Sequence, residues 1–422
     1  MQTPITIIGA GPVQVTCVGA GPAGMTAALF AARAGAKVRL IDGNEQVGRK
    51  LLVTGSGRAN LTNQKLAAGR YTCADLDWLQ RVFATFGHTQ TVDFLDSVGV
   101  PTFATHDGWC YPLSESAQTV VDAFANALRQ AGVELVLNTK VKNIKIRKGG
   151  WPSAPSVETG FNLELTNGTT LQTEKLIVAA GGKAYPTLGS RGELFASLKN
   201  LGHTVHALLP ALAPVTCDMT PWKKLSGVRF DAQVSLYEGS SLLADTTGNL
   251  IVTDWGLNGP AVMDLSHQIS SRPNAKLELV LNPLFASETV LRGLIERSRE
   301  SDTPLQVLAG AVLAPKLAQA LIQRAGYQEN TPIRNLKENQ VEKLLRAFSA
   351  LPFKVTGVRG FEYCQVSSGG VPVTEVDPLN MRSRLVPGLS LVGETLDVVG
   401  PCGGYNLQFA FSSGALAGMG LF

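Results

Sequence analysis

The sequence predicts an α/β fold in which a nucleotide-binding domain is built from both ends of the chain and interrupted by an insertion. Three observations predict it. Residues 15–42 form a strand–turn–helix–strand pattern with closely spaced glycines. Alternating strands and then amphipathic helices occupy residues 207–361. Glycine-rich segments return between residues 367 and 408, and a helix closes the chain.

The first of these patterns is a dinucleotide-binding fingerprint in its proper context. An apolar strand runs into Gly19-Ala20-Gly21-Pro22-Ala23-Gly24, and a helix and a second strand follow. The first glycine permits a tight turn, the second lets the backbone approach a pyrophosphate, and the third lets the helix pack closely on the strand. The N-terminus of the helix attracts phosphate. Asp42, at the end of the second strand, is placed to accept hydrogen bonds from a ribose.

Residues 5–12 form a partial copy of this motif, shifted by ten residues. The copy has Gln14 where the third glycine belongs, and it leads into a strand instead of a helix. We therefore interpret the second copy as the one that binds and the first as an extension or an edge strand. The alternative is that Gly9 and Gly11 contact a nucleotide, and the bulk of Gln14 disfavours it.

Composition and charge narrow the class of protein. A chain of 422 residues indicates two or three domains. The net charge of +4 is small, and no basic run is interleaved with aromatic residues, which argues against nucleic acid as a partner. Six cysteines without metal-type spacing favour reduced thiols in a cytoplasm, and no apolar run reaches the length of a membrane span. We expect a cytoplasmic protein with a small-molecule substrate, without a metal; its oligomeric state is left open.

Hydrophobic periodicity gives the remaining elements. The predicted helices are residues 25–34, 76–86, 89–98, 117–131, 288–299, 304–325 and 340–351, with a last helix from near residue 409. The predicted strands are residues 15–18, 37–41, 141–146, 161–166, 169–173, 175–180, 233–237, 250–252, 276–281 and 389–392. The predicted domains are a nucleotide-binding domain (1–206 and 362–422), a β-rich inserted domain (207–285 and 352–361) and a helical subdomain (286–351).

Glycine-rich strand ends that lie far apart in the sequence indicate FAD as the cofactor. A nicotinamide dehydrogenase needs one nucleotide site, whereas FAD is bound in an extended form and contacts several distant segments. Gly393-Glu394, Gly403–Asn406 and Ala180–Gly182 suit such contacts. A second complete fingerprint is absent from residues 183–370, so any NAD(P)H would bind only transiently.

Through these motifs the chain resembles the BaiN/YhiN-type bacterial flavoproteins, a family also known as aminoacetone-oxidase-like FAD-binding enzymes. The motifs that carry the resemblance are residues 19–24, 48–63, 108–114, 180–186, 256–261, 369–371 and 393–408. The resemblance implies a Rossmann-like FAD-binding domain, an inserted β-barrel-like domain and a helical cap, with tightly but non-covalently bound FAD. The chain departs from the family at Ala59, where the family has Cys, and at Asp254, where it has His. A family mechanism that depends on that thiol or imidazole is in question here.

The motifs and the resemblance together predict a set of cofactor contacts. They are Gly19, Gly21, Pro22, Ala23, Gly24, Asp42, Gly43, Arg49, Lys50, Gly57, Arg58, Asn60, Val141, Ala180, Gly181, Gly182, Gly393, Glu394, Gly403, Gly404, Tyr405, Asn406 and Leu407.

Several of these side chains have an alternative, structural interpretation. Arg58 and Asn60 contact the flavin pyrophosphate or ring edge, or else they stabilise a turn. Asn406 and Gln408 bond the O2/N3 edge of the flavin, or else they cap a helix. Glu394 holds the ribityl chain, or else it acts as a base.

Catalytic residues are not identified by the sequence. Tyr185 and Tyr405 are weak candidates for proton donors, with ring packing as the alternative, and His106 is a third weak candidate. Asp254 and Trp255 contact a substrate or else form an interface pair.

These observations predict an FAD-dependent oxidoreductase that transfers hydride between a small organic substrate and bound flavin. Reduction of an activated C=C bond, with NAD(P)H as electron donor, is one reaction class. The alternatives are an O2-using amine oxidase that produces peroxide, and a flavin-binding protein without turnover.

Overall fold

The architecture is that of a computed structural model, which describes residues 13–148 and 159–421. The partial motif copy at residues 5–12 and most of the loop predicted at residues 149–160 lie outside the described residues. The chain divides into two compact units. Unit 1 contains the N-terminal part up to Leu209 and the C-terminal part from Gln365, and unit 2 is Pro210–Cys364.

The strands and helices are named in chain order. The strands of the described residues are β1 (Val13–Val18), β2 (Val38–Ile41), β3 (Thr62–Asn63), β4 (Thr72–Cys73), β5 (Thr102–Ala104), β6 (Trp109–Pro112), β7 (Glu134–Val136), β8 (Val141–Lys148), β9 (Thr159–Leu165), β10 (Thr170–Val178), β11 (His206–Ala211), β12 (Val215–Cys217), β13 (Arg229–Glu238), β14 (Ser241–Val252), β15 (Gly256–Asn258), β16 (Leu277–Asn282), β17 (Leu351–Val358), β18 (Val366–Gly370), β19 (Leu389–Leu391) and β20 (Val398–Val399). Their α-helices are α1 (Pro22–Arg33), α2 (Leu76–Thr85), α3 (His88–Ser97), α4 (Ala117–Gln130), α5 (Phe195–Asn200), α6 (Pro260–Met263), α7 (Ser266–Ser270), α8 (Glu288–Arg297), α9 (Leu305–Gly310), α10 (Pro315–Arg324), α11 (Glu338–Ser349) and α12 (Tyr405–Met419).

Unit 1 is organised around a central sheet with the strand order β7-β2-β1-β10-β9-β8, in which β19 also pairs with β10. Strands β2, β1, β10 and β19 run parallel to one another. Residues of β1, β2 and β19 are buried almost throughout, as is typical of parallel strands covered on both faces. The predicted α/β fold with a discontinuous nucleotide-binding domain is confirmed.

Several predicted elements are wrong in their extent, and the clearest cases are one strand and two helical segments. The strands predicted at residues 169–173 and 175–180 are one strand, β10, whose first half pairs antiparallel with β9 and which pairs parallel with β1 from Thr173 onward. No Gly or Pro interrupts the extended backbone between the two predicted strands. The helix predicted at residues 304–325 is two helices, because Pro315 begins a new one. The last helix begins at Tyr405, four residues before the predicted start.

Helices α1 and α12 pack backbone against backbone through glycines. A Cβ atom on Gly414 would lie 2.3 Å from the carbonyl oxygen of Ala23, and one on Gly418 would lie 2.6 Å from that of Ala27. Both contacts advance by four residues in the same direction along the two chains, so the helices run parallel. No side chain fits between the helices at these points.

Unit 2 contains a closed six-stranded barrel with the order β12-β15-β14-β13-β16-β17. Helices α8–α11 and the barrel share one hydrophobic core, in which Leu291, Leu317 and Leu344 are packed with Leu279 and Leu281. The predicted barrel-like insertion and helices are confirmed. The domain boundaries, including the separation of a helical subdomain, stay predictions.

The cysteines and the hydrophobicity of the helices bear on the expectations from the sequence. Four of the six cysteines are buried: Cys17, Cys110, Cys217 and Cys364. Within residues 13–148 and 159–421, no helix has the length and apolar character needed to cross a membrane.

A buried acid–imidazole pair ties together three loops of unit 1. The Nδ1 atom of His203 lies 2.6 Å from Oε2 of Glu375, and its Nε2 lies 2.9 Å from Oγ of Ser383. Burial acts to raise the pKa of Glu375, but hydrogen bonds from Thr204 and His203 outweigh it and hold the pKa below its ordinary value of 4.5. The ionised carboxyl therefore stabilises the folded state.

We expect Gly414→Ala to destabilise unit 1 by about 1–3 kcal/mol, because its Cβ meets a backbone carbonyl that cannot rotate away. Chemical denaturation measures the change. Gly310→Ala is the matched control, since nothing lies within 4 Å of a Cβ at that position. Equal destabilisation by both variants would contradict the proposed close contact between α1 and α12.

We expect Glu375→Gln to change the acid side of the stability profile. Because the pKa of Glu375 is lowered on folding, its contribution is fully present above about pH 4.5 and is lost as the pH falls through the folded pKa. The stability difference between wild type and variant should therefore shrink on acidification, as measured by urea denaturation from neutral to acid pH. The exposed Glu296→Gln is the control, and a constant difference for Glu375→Gln would refute the assignment.

Candidate functional site

The carboxyl ends of four parallel strands meet at one edge of the central sheet. Strand β1 leads into Gly19, β2 into Asp42, β10 into Ala179 and β19 into Val392-Gly393. In open parallel sheets, ligands bind in the crevice outside the carboxyl ends of the strands. The predicted cofactor residues therefore come from the segments that form this edge.

The turn after β1 has the geometry that the fingerprint predicts. Gly19 has a φ of +103°, and its Cβ would lie 2.2 Å from the carbonyl oxygen of Ala179. A Cβ on Gly24 would lie 1.8 Å from the carbonyl oxygen of Gly19, so β1 and α1 require glycine at both positions. Gly21 differs, because its φ is −75° and nothing lies within 4 Å of a Cβ there. The protein itself does not require glycine at position 21, which indicates that a ligand does.

The start of α1 offers backbone donors at this turn. Its first intrahelical hydrogen bond is donated by the N–H of Met25 to Gly21. The N–H groups of Ala23 and Gly24 therefore have no intrahelical acceptor, and Pro22 at the first position has no N–H. No side chain caps the helix. The arrangement fits a pyrophosphate.

The start of α12 is a second helix N-terminus whose backbone N–H groups have no intrahelical acceptor. Gly403 and Gly404 have φ values of +112° and +93°, and a Cβ on Gly404 would lie 2.4 Å from the carbonyl oxygen of Thr62. The first intrahelical bond is donated by Gln408 to Gly404, so the N–H groups of Asn406 and Leu407 have no intrahelical acceptor. A helix start of this kind stabilises negative charge.

The parallel packing of the two helices fixes the distance between these ends. Gly414 lies against Ala23, so the residue of α12 level with Pro22 is eight positions beyond its start at Tyr405. At 1.5 Å per residue, α12 starts about 12 Å before the level at which α1 starts, measured along their shared N-to-C direction. Two staggered helix ends suit an extended dinucleotide, with the pyrophosphate at α1 and the flavin ring at α12. FAD fits the residues present.

Asp42 is held by its own loop. Its Oδ2 accepts a hydrogen bond from the N–H of Ala20 at 2.6 Å, and its Oδ1 accepts bonds from the backbone and side chain of Asn44 at 2.8 and 2.9 Å. Arg49 in turn donates to Asn44 at 3.0 Å. A carboxylate has four acceptor sites, so Asp42 keeps capacity for a ribose hydroxyl. That contact stays a prediction.

The same loop packs on the segment that precedes β8. A Cβ on Gly43 would lie 2.5 Å from Cγ of Lys140, whose ammonium group pairs with Glu193 at 3.1 Å. Val141, buried, follows as the first residue of β8. The structure thus brings Gly43 near the start of β8, and the roles of Gly43 and Val141 in binding stay predictions.

Glu394 is fixed by a network that joins distant segments of unit 1. Lys50 donates to its Oε2 at 2.7 Å, and the N–H and hydroxyl of Ser367 donate to its Oε1 at 2.8 and 2.9 Å. A Cβ on Gly182 would lie 2.6 Å from the same Oε1. This pairing favours a carboxylate that holds a ligand over a free base. Sequence reasoning missed Ser367, although it lies in the glycine-rich segment that the pattern singled out.

The backbone beside this network bends sharply at glycines. Gly181 has a φ of +74°, and the hydroxyl of Ser190 donates to the carbonyl of Gly182 at 3.0 Å. Gly393 has a φ of +61°, and its Cβ would lie 2.9 Å from Cβ of Ala23. Ala180, half-buried, connects β10 to this bend. The ends of β1, β10 and β19 therefore all lie close to the start of α1.

The loop that follows Lys50 presents Arg58. Four residues of this loop have left-handed φ values, at Gly55, Ser56, Gly57 and Ala59. The guanidinium of Arg58 lies 4.6 Å from the ring centroid of Tyr111 and is about half exposed.

Arg58 has two partners: the ring of Tyr111, whose hydroxyl also accepts a long hydrogen bond of 3.5 Å from Nη2, and a distant acid. The carboxylate of Glu115 is 3.9 Å away, beyond hydrogen-bond distance. Burial raises the pKa of Tyr111, and the Arg58 charge acts in the opposite direction. Asn60, by contrast, is buried, and its amide nitrogen can be oriented to donate to the carbonyls of Cys110 and Thr62, so its contact with the cofactor stays a prediction.

Two polar side chains of α12 are used within the protein. The amide of Asn406 bonds to both the N–H and the C=O of Gly400, at 2.9 and 2.8 Å, so a flavin contact through this side chain stays a prediction. The amide of Gln408 is fully buried and bonds to Thr62, Thr91 and Ser412. The predicted flavin contact of the Gln408 side chain is wrong, because all of its polar atoms are bonded inside the core.

The weak catalytic candidates lie in different environments. Tyr405 is 3% exposed and its hydroxyl donates to the carbonyl of Lys65 at 3.3 Å, and its roles as a proton donor and as a cofactor contact stay predictions. Tyr185 has a left-handed φ of +51°. His106 is fully exposed on the turn between β5 and β6. Asp254 and Trp255 belong to unit 2, in the turn between β14 and β15.

The chain is similar to one protein family over nearly its whole length and to individual members of known function. Residues 13–420 match the family described as HI0933-like protein, Rossmann domain. A 3-dehydro-bile acid delta(4,6)-reductase of Clostridium scindens is 32% identical over 403 residues, covering 94% of this chain and 95% of the relative. A ribosomal RNA dihydrouridine synthase of Escherichia coli is 31% identical over 416 residues, covering 96% and 95%.

Solved structures show the same fold. The 3-ketosteroid delta1-dehydrogenase from Sterolibacterium denitrificans, in complex with 1,4-androstadiene-3,17-dione, aligns with a TM-score of 0.50 at 13% identity. The alignment covers 96% of this chain and 98% of that chain.

We expect Gly21→Ala to separate ligand binding from folding. The added methyl group enters open space in the protein, so the melting temperature of the apoprotein should not change. The same methyl group obstructs a pyrophosphate at the start of α1, so the affinity for FAD should fall at least about tenfold, measured by fluorescence titration of apoprotein. Unchanged FAD affinity would refute the assignment of this turn.

Gly24→Ala is the comparison variant for that experiment. Its methyl group would collide with the carbonyl of Gly19, so this variant should lose stability as well as FAD affinity.

Proposed function

The chain belongs to the HI0933-like family and is an FAD-dependent oxidoreductase, and from that premise we propose that it reduces a carbon–carbon double bond conjugated to a carbonyl group. One observation carries the proposal. The names of both relatives describe saturation of such a bond, in a 3-dehydro-bile acid and in the uracil ring of uridine. The two substrates differ in almost everything else, so the shared element is the conjugated carbonyl.

This reaction requires charge stabilisation at the carbonyl oxygen. FAD supplies the hydride chemistry when bound. Hydride addition to the carbon β to the carbonyl moves an electron pair toward the oxygen, and a proton then reaches the α carbon. A cation or donor placed at that oxygen lowers the barrier. The product is the saturated carbonyl compound.

Arg58 is the residue that we assign to the carbonyl oxygen. Its guanidinium is half exposed and is held over the ring of Tyr111, and Glu115 lies too far away to bond to it. Its Nη2 donates a long hydrogen bond of 3.5 Å to the Tyr111 hydroxyl, and the remaining N–H donors of the guanidinium are left for a ligand. Tyr111 is a positioning residue, because it is 2% exposed and acts through Arg58. With Ala59 in place of the family cysteine, we assign the proton on the α carbon to solvent.

The substrate that we propose is a small conjugated carbonyl compound, with NAD(P)H as the transient electron donor. The 32% identity to the bile acid reductase over nearly the whole chain supports this choice. Uridine in RNA is the other substrate that the relatives suggest, so the assay includes both.

An anaerobic absorbance experiment tests the function. The purified protein is mixed with NADH or NADPH, and then with a conjugated 3-oxo steroid acid or a uridine-containing RNA. Bleaching of the flavin by the nicotinamide, followed by recovery of its absorbance with one substrate, supports the proposal and identifies the substrate class. A flavin that recovers only with O2, and yields peroxide with amines, would overturn it in favour of an amine oxidase.

We expect Arg58→Gln to slow reoxidation of the reduced flavin by the conjugated substrate about 10²–10³-fold, because one charged donor to the developing oxyanion is lost. The flavin is reduced with dithionite and mixed with substrate anaerobically, so the readout does not depend on the electron donor. FAD affinity should stay unchanged, which distinguishes this role from cofactor binding.

Two variants of Tyr111 serve as controls for that prediction. Tyr111→Phe keeps the ring under the guanidinium and removes only the long hydrogen bond of 3.5 Å to the hydroxyl, so it should retain most of the rate, whereas Tyr111→Leu removes the ring as well and should lose more of it. A full rate in Arg58→Gln would exclude Arg58 from the reaction.

A further inference from the structure

Three side chains of unit 2 form a cluster that the proposed reaction does not use. The Cζ atom of Arg359 lies 4.7 Å from the ring centroid of Trp255 and 3.3 Å from that of Tyr363. The Tyr363 side chain is 45% exposed, and Trp255 and Arg359 are half-buried. We refer to Trp255, Arg359 and Tyr363 as the arginine clamp.

Strand ends of the barrel hold the clamp in place. Arg359 directly follows β17, and its backbone N–H donates to the carbonyl of Pro214 at 2.9 Å. The N–H of Tyr363 donates to Gly360 at 3.0 Å, so a tight turn brings its ring back to Arg359. The carbonyl of Trp255 accepts a hydrogen bond from Cys217 at the end of β12, which pairs with both β15 and β17. The three side chains therefore lie on one connected part of the barrel.

The guanidinium of Arg359 differs from its neighbours in having no described carboxylate partner. Several arginines of unit 2 lie within 4.0 Å of a carboxylate: Arg272, Arg292, Arg299 and Arg334. The described contacts of the Arg359 side chain are its two aromatic rings. Glu362, the nearest acid in sequence, and Asp254, which precedes Trp255, are exposed and form no described salt bridge with it.

This geometry suits an anion. Stacking on aromatic rings uses the faces of a guanidinium and leaves its planar fork of N–H donors for a ligand. The fork matches a carboxylate or a phosphate, which it binds through two parallel hydrogen bonds. Rings that already hold the side chain reduce the conformational freedom that binding must remove.

We propose that the arginine clamp is an oxyanion-binding site of unit 2, with Arg359 bonding a carboxylate or phosphate group and the rims of Trp255 and Tyr363 contacting the apolar or planar part of the same ligand. The site does not depend on the double-bond reduction. Its ligand is an anionic compound that carries a ring system, either a carboxylated steroid or a nucleotide.

Calorimetric titration of the oxidised holoenzyme, without turnover, tests this site. The probes are cholate, a short uridine-rich single-stranded RNA, and inorganic phosphate. We expect at least one probe to bind and Arg359→Gln to weaken that binding at least about tenfold, as for loss of a bidentate charged pair. Arg359→Lys should weaken it as well, because an ammonium group lacks the planar fork.

Arg324→Gln is the matched control. Arg324 also lies over a tryptophan of unit 2, 4.6 Å from the ring of Trp222, but that ring is 3% exposed. This variant should bind every probe as the wild type does. A thermal melt of each variant confirms that it is folded.

The titrations distinguish a carboxylate ligand from a phosphate ligand. Dependence of cholate binding on Arg359 identifies a carboxylate site, and dependence of RNA or phosphate binding identifies a phosphate site. Binding that is equal in wild type and Arg359→Gln, or no binding of any probe, would overturn the proposal. Neither result depends on whether the flavin reduces a double bond.

Discussion

The contact between α1 and α12 is the constraint on which the rest of unit 1 depends. Gly414 and Gly418 allow the two backbones to touch, and this contact sets both the parallel direction and the stagger of the helices. The two helices come from opposite ends of the chain, so the cofactor site exists only after the chain ends have come together. A larger residue at either glycine would separate the two helix starts at which we propose that the pyrophosphate and the ring bind.

The network around Glu394 shows how close backbone contacts at glycines position the groups that are available to a ligand. Gly182 leaves room for the Glu394 carboxylate and Ser367, and Gly393 leaves room for the start of α1. Lys50 then closes the network from a loop 344 residues away in sequence. The glycines at the strand ends therefore determine where the charged groups lie, because any Cβ there would displace a carboxylate or a helix.

The sequence predicted those parts of the site that sterics dictate and missed those that depend on distant contacts. Gly19 and Gly24 were predicted because only glycine fits a turn of that shape, whatever the rest of the fold. The pairing of Lys50 with Glu394 could not be read from two residues so far apart. Gln408 was misread because an amide after a glycine-rich turn looks like a ligand donor, and only the structure reveals the buried hydroxyls around it. The continuity of β10 was missed because its first half, which pairs antiparallel with β9, alternates between exposed and buried residues, whereas its last three residues, which pair parallel with β1, are all buried.

The environment of Arg58 explains how one exposed cation can serve a reaction. Its distance of 3.9 Å from Glu115, with both side chains about half exposed, describes a surface pair that contributes about 0–1 kcal/mol. Such a pair does not neutralise the guanidinium, and the ring of Tyr111 holds the side chain in place without adding charge. In water the field of this cation is weak, but it strengthens when a substrate covers the loop and displaces solvent. The cation then acts most strongly at the moment when negative charge develops on the carbonyl oxygen, which is the property that a catalytic group requires.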